Sequence, residues 1–444
     1  MSIINISLPF FSRRATHSSS DPSTSIKLDS VPIHRVETLH SKPARTLKHL
    51  IKANHANHSV IYHDLRFHNH APHILGSAYI LGGTSEHLNA IYAKEDTKLE
   101  PWHDAPSEIS KEDWRDFLGK RNYQRAYIDF FEDQLVQYGY DWEKMLHDFL
   151  YAEEGEPGKE GFKGPLINNM ISGLGHPLIH LGYAVELHSK TVAIEALTLV
   201  ACFYDDWHKY LDDPKYTKAV PDTKPTPLEL LHKAEQDKQF DGMFSEPGGD
   251  NLSELFEKKE DALLEYWNAW ELHPDPKDQF HLSQRAAVAI LVGTHDASHQ
   301  YDFFFCHLLT TSHAVRILLP AIESRWHKNL VRQWWLFTAS VYIAQTRPRI
   351  SEASINDVKL DGRDWKWVDH HILTSKWSMD AHHVKAARAM KEAAATWGDK
   401  DQFFMKAAVK FVSEFNGWGG FSAADRKARE ERLSKTELLG TTMD

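Results

Sequence analysis

Histidine is abundant in this 444-residue chain, with 29 copies, and several stand where imidazoles could do metal chemistry. In SGLGHPLIHLGYA, residues 172–184, His176 and His180 lie four apart in an otherwise apolar run. Four residues is about one helical turn, so both project from one face. Three more apolar stretches carry the same residue type. FHNHAPHILGSAYILGG (67–83) holds His68, His70 and His73; YDFFFCHLLTTSHAVRILLP (301–320) holds His307 and His313; MDAHHVKAARAM (379–390) holds His382, His383 and Lys385. Neutral imidazole suits iron, zinc, copper or nickel, and helical bundles build metal sites from facing helices. The high count also makes chance pairs common. His295 with His299, and His55 with His58, stand at helical spacing too. Taken singly, each histidine reads first as a hydrogen-bonded core residue, and Lys385 as a surface lysine snorkelling along its stem.

Helical geometry sorts the candidates. In the third stretch Phe303, His307, Thr310 and Ala314 form one stripe, with His313 six residues beyond His307. In the fourth, His382, Lys385, Ala386, Ala389 and Ala393 share a face whose small residues leave room beside the imidazole. Spacing places each set on a face; it does not bring the four together.

The surrounding pattern predicts an all-α fold. TSEH before LNAIYAKE is a helix start signal. Amphipathic or apolar helical runs then follow nearly without break from about residue 70, with a split expected near Ser189. No run alternates with a strand's period, and no fixed repeat stands out. We expect one large multi-helical domain over 31–425, with any metal site in its helical core. Residues 1–30 read as a Ser-rich flexible arm, 213–252 as an inserted surface loop around one short helix, and 426–444 as a solvated tail.

Composition excludes several function classes. The net charge of −11 argues against a nucleic-acid partner, which needs a basic surface. No apolar run reaches the length of a membrane span. Two cysteines, Cys202 and Cys306, offer neither a disulfide framework nor a thiolate zinc site. The N-terminus lacks the basic start of a secretory signal, although Arg13 and Arg14 among serines would also suit a mitochondrial presequence. An intracellular, non-secreted protein is expected. Motifs for a dinucleotide, a P-loop, a nucleophile elbow or HExxH are missing. NGWGGF at 416–421 follows a helix and has the wrong spacing for a nucleotide turn. Glu37 with His40 and Glu229 with His232 match the ExxH spacing of di-iron bundles but lie outside the expected core.

NHAPH (69–73), GHPLIHLGYA (175–184), HLLTTSHAVR (307–316) and DAHHVK (380–385), in that order, resemble the questin oxidase-like family. That family is typical of fungal aromatic-polyketide pathways and cleaves anthraquinone-type rings in Baeyer–Villiger-like oxidations. The resemblance implies a ligand set of His70, His176, His307 and His382, with Lys385 nearby. It implies supporting roles for Asn69, Thr310 and Asp380, and catalytic roles beside the metal for His180 and His313. His313 remains the rival to His307 as a ligand.

Without a flavin motif, oxygen chemistry needs another activator, and Fe(II) on these imidazoles would serve. The common non-haem iron set includes a carboxylate, which these motifs do not clearly supply. A lysine buried beside a metal is pushed toward the neutral amine, which can take up CO2 to give a carbamate oxygen ligand. Lys385 is therefore expected as a carboxylated lysine. The expected partners are an aromatic polyketide and O2, with NADPH or another reductant left open. Two other readings compete: a metal-assisted hydrolase or lactonase, and a non-catalytic helical binding protein.

Overall fold

Capping residues fix where the site-bearing helices begin. Asp302 accepts from the N–H of Phe304 at 2.8 Å and opens the helix Phe303–Leu318. Asp380 accepts from the N–H of His383 at 2.8 Å and opens Ala381–Trp397. Asn69 accepts from the N–H of Ala71 at 3.0 Å at the start of Ala71–Ile80. Each such cap satisfies amides that the helix cannot. In the fourth case, His176–Leu187, Gly175 precedes the helix with φ +74°. A Cβ at Gly175 would stand 2.4 Å from Thr311 Cγ2. Only glycine lets this helix start lie against its neighbour.

In this computed structural model, residues 25–427 are described apart from 156–158, 160, 219–224, 271–275 and 296–299. The four helices just named form a ring. His176–Leu187 packs on Phe303–Leu318, which packs on Ala381–Trp397, which packs on Ala71–Ile80, which returns to His176–Leu187. Gly182 makes the first contact close, since a Cβ there would be 3.1 Å from that of Ala314. Around the ring lie further helices, among them Lys190–Cys202, Asn251–Ala269, Pro276–Gly293 and His327–Ala344. The expected split near Ser189 falls there, where Ser189 caps Lys190–Cys202. Strand is confined among the described residues to two two-residue pairs, Ile61–Tyr62 with Phe67–His68 and Tyr301–Asp302 with Trp418–Gly419. The all-α expectation holds. Among the described residues no helix is long and apolar enough to cross a membrane.

Three local expectations need correcting. The helix Lys42–Asn57 was not foreseen. Its apolar stripe is narrow, Leu47, Leu50 and Ile51 with Asn54, on an otherwise polar and basic segment. The N-terminal arm ends sooner than residue 30. Ile26 and Val31 are buried, and the N–H of Ile26 donates to His327 Nδ1 at 3.1 Å. Residues 1–24 and 428–444, and His299, lie outside the described residues. Within 213–252 the helix Pro227–Glu235 is docked rather than looped out. Leu230, Leu231 and Ala234 are buried, and Arg347 donates to the carbonyls of Ala234 and Asp237.

The aromatic run RQWWLF is core. Trp334 and Trp335 are fully buried, and each donates its indole N–H to a backbone carbonyl, Leu308 and Tyr266. Both cysteines are buried and free.

Candidate metal centre

All four site helices bring their N-terminal ends to one place. His70 precedes the first residue of its helix, His176 is the first of the next, His307 the fifth and His382 the second. One ligand nitrogen from each lies within 4.8 Å of every other. His70 Nε2 stands 2.9 Å from His176 Nε2, and His382 Nε2 stands 3.3 Å from His307 Nε2. Neighbouring ligands about 2.1 Å from one ion would be separated by about 3.0 to 3.4 Å.

The tautomers support the same use. His176 Nδ1–H donates to the carbonyl of Gly173 at 2.8 Å, and His307 Nδ1–H donates to that of Phe303 at 2.9 Å. With the proton held at Nδ1, each Nε2 carries a lone pair into the cluster. A metal-ligating histidine commonly donates its other N–H in this way. Burial first, and then the charges of Lys385 and the neighbouring imidazoles, push all four histidines well below the ordinary value. They are neutral, as ligation requires.

The outer groups hold these rings in place. Asn69 Nδ2 donates to Asn54 Oδ1 and to the carbonyl of Ser59, fixing the turn before His70. Asp380 accepts from Trp418 Nε1 at 3.1 and 3.2 Å as well as capping its helix. NGWGGF therefore acts as a clamp. It pairs with Tyr301–Asp302 and ties down the start of the His382 helix. Composition gave no sign of this, because the partners are more than a hundred residues upstream or rest on one indole. Thr310 spends its hydroxyl on the carbonyl of Cys306, one turn back.

Lys385 is buried, and its Nζ has no hydrogen-bond partner among the described residues. Burial, opposed by Cys306 and Asp380, lowers its pKa to about 8. It lines one small cavity with Thr310, Tyr183 and His313. Both nitrogens of His313 also lack partners there. His313 and His180 are not among the four converging rings. Of the aromatic stretch 302–306, Phe303 alone faces the cluster, 4.5 Å from the His382 ring and 4.8 Å from that of His307.

His68, one imidazole of the first stretch, and Glu195, which the sequence did not single out, also adjoin the cluster. His68 stacks on His176 at 3.7 Å and 5°, and its Nε2 has no partner among the described residues. Glu195 anchors a buried chain: His73 Nε2–H donates to His180 Nδ1, and His180 Nε2–H donates to Glu195, both at 2.8 Å. The other Glu195 oxygen accepts from His55 Nδ1–H at 2.8 Å, and His55 Nε2–H reaches the exposed Glu132 at 3.1 Å. An apolar-looking helix gave no hint that Glu195 points inward.

Burial disfavours charge on both His55 and Glu195, but the hydrogen bonds outweigh it. His55 rises to about 9, and Glu195 falls to about 2. A raised histidine contributes stability that is complete below about 6.5 and gone above its folded pKa. A depressed carboxylate contributes stability present above about 4.5 and lost as pH falls toward 2. The His55 shift corresponds to about 3 kcal/mol. The melting-temperature gap between wild type and His55→Gln should therefore be widest near pH 6. It should close as pH rises through about 9. A gap that stays constant would show that His55 is not charged in the folded protein.

The questin oxidase-like family matches residues 67–390. A Baeyer-Villiger oxidase of Pestalotiopsis microspora is 24% identical over 377 residues, 79% of this chain and 81% of its own. Another from Paecilomyces divaricatus is 23% identical, covering 77% of each chain. A questin oxidase of Aspergillus terreus is 22% identical, over 83% of this chain and 84% of its own. The matched region takes in all four converging histidines, and the chain belongs to the questin oxidase-like family of oxidoreductases.

Proposed function

We propose that this protein is a non-haem, iron-dependent oxygenase that cleaves a ring of an anthraquinone-type aromatic polyketide. The observation that carries the reading is the convergence of four neutral imidazoles, two with their Nε2 lone pairs fixed inward by backbone carbonyls. The names of the relatives support oxidative ring opening, in which a C–C bond beside a carbonyl is replaced by a C–O bond.

His70, His176, His307 and His382 would hold the metal. When bound, iron supplies the means of activating O2, which no side chain of the chain can do alone. The carbonyls of Gly173 and Phe303 keep two rings in their ligating tautomer. Asn69 and Asp380 set the starts of two helices and so the positions of His70 and His382. Phe303 covers the His307 and His382 side and restricts water there.

Four neutral ligands leave a dication uncompensated. Lys385, buried and without a hydrogen-bond partner among the described residues, is suited to balance it. Its neutral amine would add to CO2, forming an N–C bond and releasing one proton, to leave an anionic carbamate. No dinucleotide motif accompanies the site, so an NADPH requirement would mean a reductant acting from outside. If only one atom of O2 enters the product, two electrons must come from such a donor; if both enter, none are needed.

The test is elemental analysis of protein purified without added metal, with oxygen uptake on hydroxylated anthraquinones. We expect about one iron per chain, oxygen consumed in proportion to substrate, and a carbamate carbon resonance after exposure to 13C-bicarbonate. Stoichiometric zinc with product formed anaerobically would replace this reading with metal-assisted hydrolysis. A metal-free protein whose ligand variants keep full activity would end it.

A further inference from the structure

A cleft of about 530 Å3 opens directly behind the His176 turn. That lies within the range usual for small-molecule sites. Its floor is Gly173–Leu174. The Gly173 carbonyl is the one that accepts His176 Nδ1–H. A Cβ on Gly173 would also lie 3.0 Å from Nε2 of His68, the ring stacked on His176. Leu174 adopts φ 57°, ψ 33°, a left-handed conformation that a leucine resists. Backbone strain of this kind gathers at functional sites.

The walls are aromatic. Trp207 and Phe256, both half-buried, meet edge to face at 4.7 Å, and Phe337 closes the inner side. Gly249 forms the rim because Phe304 needs the space. A Cβ there would be 3.0 Å from the Phe304 ring. Phe304 touches Phe303 at 5.8 Å, and Phe303 lies against His307 and His382. A row of rings thus runs from the cleft to the histidine cluster. A larger cleft beside Ser110, Gln137 and Lys144 includes no residue of this row or of the cluster.

Asp206, Lys209, Tyr210 and Ser253 also line the space, and Asp205 is the polar group next to Trp207 and the Ser172 turn. Asp205 is solvent-accessible but walled by the concave surface. One of its oxygens accepts from Ser172 Oγ at 2.8 Å and from the N–H of Trp207 at 3.0 Å. Poor hydration there raises its carboxyl to about 6. Its second oxygen is available to accept one more hydrogen bond.

We propose that this cleft binds the flat, hydroxylated polycyclic substrate, with its ring face on Trp207 and Phe256 and a phenolic hydroxyl donating to Asp205. The inference rests on the oxygenase reading above and adds where the substrate sits. Extended aromatic area and one acceptor are what a planar polyphenol presents a complement to.

The test is anaerobic titration of the purified protein with 2,6-dihydroxyanthraquinone, whose hydroxyls lie away from the ring carbonyls, followed by calorimetry. Trp207→Ala should weaken binding at least tenfold, and Trp207→Phe should restore most of it. Asp205→Asn should weaken the dihydroxy compound severalfold while leaving unsubstituted anthraquinone unchanged. Metal content should not move in any variant. Unchanged affinity in both Trp207→Ala and Asp205→Asn, with wild-type oxygen uptake on the same compound, would overturn the cleft assignment alone. Wild-type protein that neither binds the compound nor consumes oxygen with it would overturn the cleft and the oxygenase reading together.

Discussion

His176→Ala and His382→Ala should each lower bound metal from about one ion per chain to under a tenth of that, and oxygen uptake with it by at least a thousandfold. The reason is geometric. The two rings come from different helices and each contributes one of the close Nε2 pairs, with His70 and with His307. Removing either leaves three nitrogens from helices whose spacing is set by packing and cannot close the gap. The same substitutions should cost the metal-free protein little. There, His70 Nε2–H can donate to His176 Nε2 and His382 Nε2–H to His307 Nε2, so deleting one ring costs one such hydrogen bond. The informative comparison is therefore melting temperature with and without chelator. Wild type should lose stability on chelation, and the two variants should not. His180→Ala and His313→Ala should retain metal, since neither ring joins the converging four. Retained stoichiometric metal in His176→Ala and His382→Ala would show that the cluster is a packing motif.

Arg388→Ala should destabilise the protein by about 3 to 5 kcal/mol, the largest effect expected away from the site. Arg388 and Glu186 are both about 1% exposed and pair directly, Nη2 to Oε1. Burial raises the Glu186 carboxyl, and the Arg388 charge offsets this only in part. The guanidinium itself is raised by Glu186 against the cost of burial. Taking away the arginine leaves a carboxylate in the core with no counter-charge, which must then take up a proton. The pair joins Ala381–Trp397 to His176–Leu187, and the guanidinium also lies 5.5 Å from the Tyr183 ring. It thus ties together two helices that carry cluster histidines. The double change Arg388→Met with Glu186→Leu should recover most of the loss, because neither charge then remains buried. Chemical unfolding of the three variants measures this. A double variant as unstable as Arg388→Ala would assign the effect to lost packing.

The helical class was legible because apolar periodicity and a cap such as Thr84 are local signals. The four histidines were legible as faces but not as depths. His180 is about 6 Å, and His313 about 9 Å, further along its helix axis than the ring that joins the cluster. A face count ranks His180 with His176 and sets His313 about a third of a turn from His307; the meeting of helix starts separates both from the cluster. Tyr301 and Trp418 were invisible for another reason. Their pairing joins residues far apart in the chain, and no local pattern encodes it. Lys42–Asn57 was hidden because its buried face carries only three large apolar residues, Leu47, Leu50 and Ile51, and ends in Asn54 and His55.

The four helices all run away from the cluster. Every peptide dipole in them points its positive end at the same small volume, and each helix contributes roughly half an elementary charge there. The imidazoles add none, since they are neutral. Their inward Nε2 lone pairs attract a cation while the helix ends oppose it. An anion beside the cation removes that penalty. A carbamate on Lys385 or an ionised phenol of a substrate would do so. Occupancy by the metal and by its negative companion is then coupled. Each raises the affinity for the other by the same factor, as linkage requires. A protein stripped of one should hold the other loosely, and metal should be retained most firmly when an anionic aromatic is present.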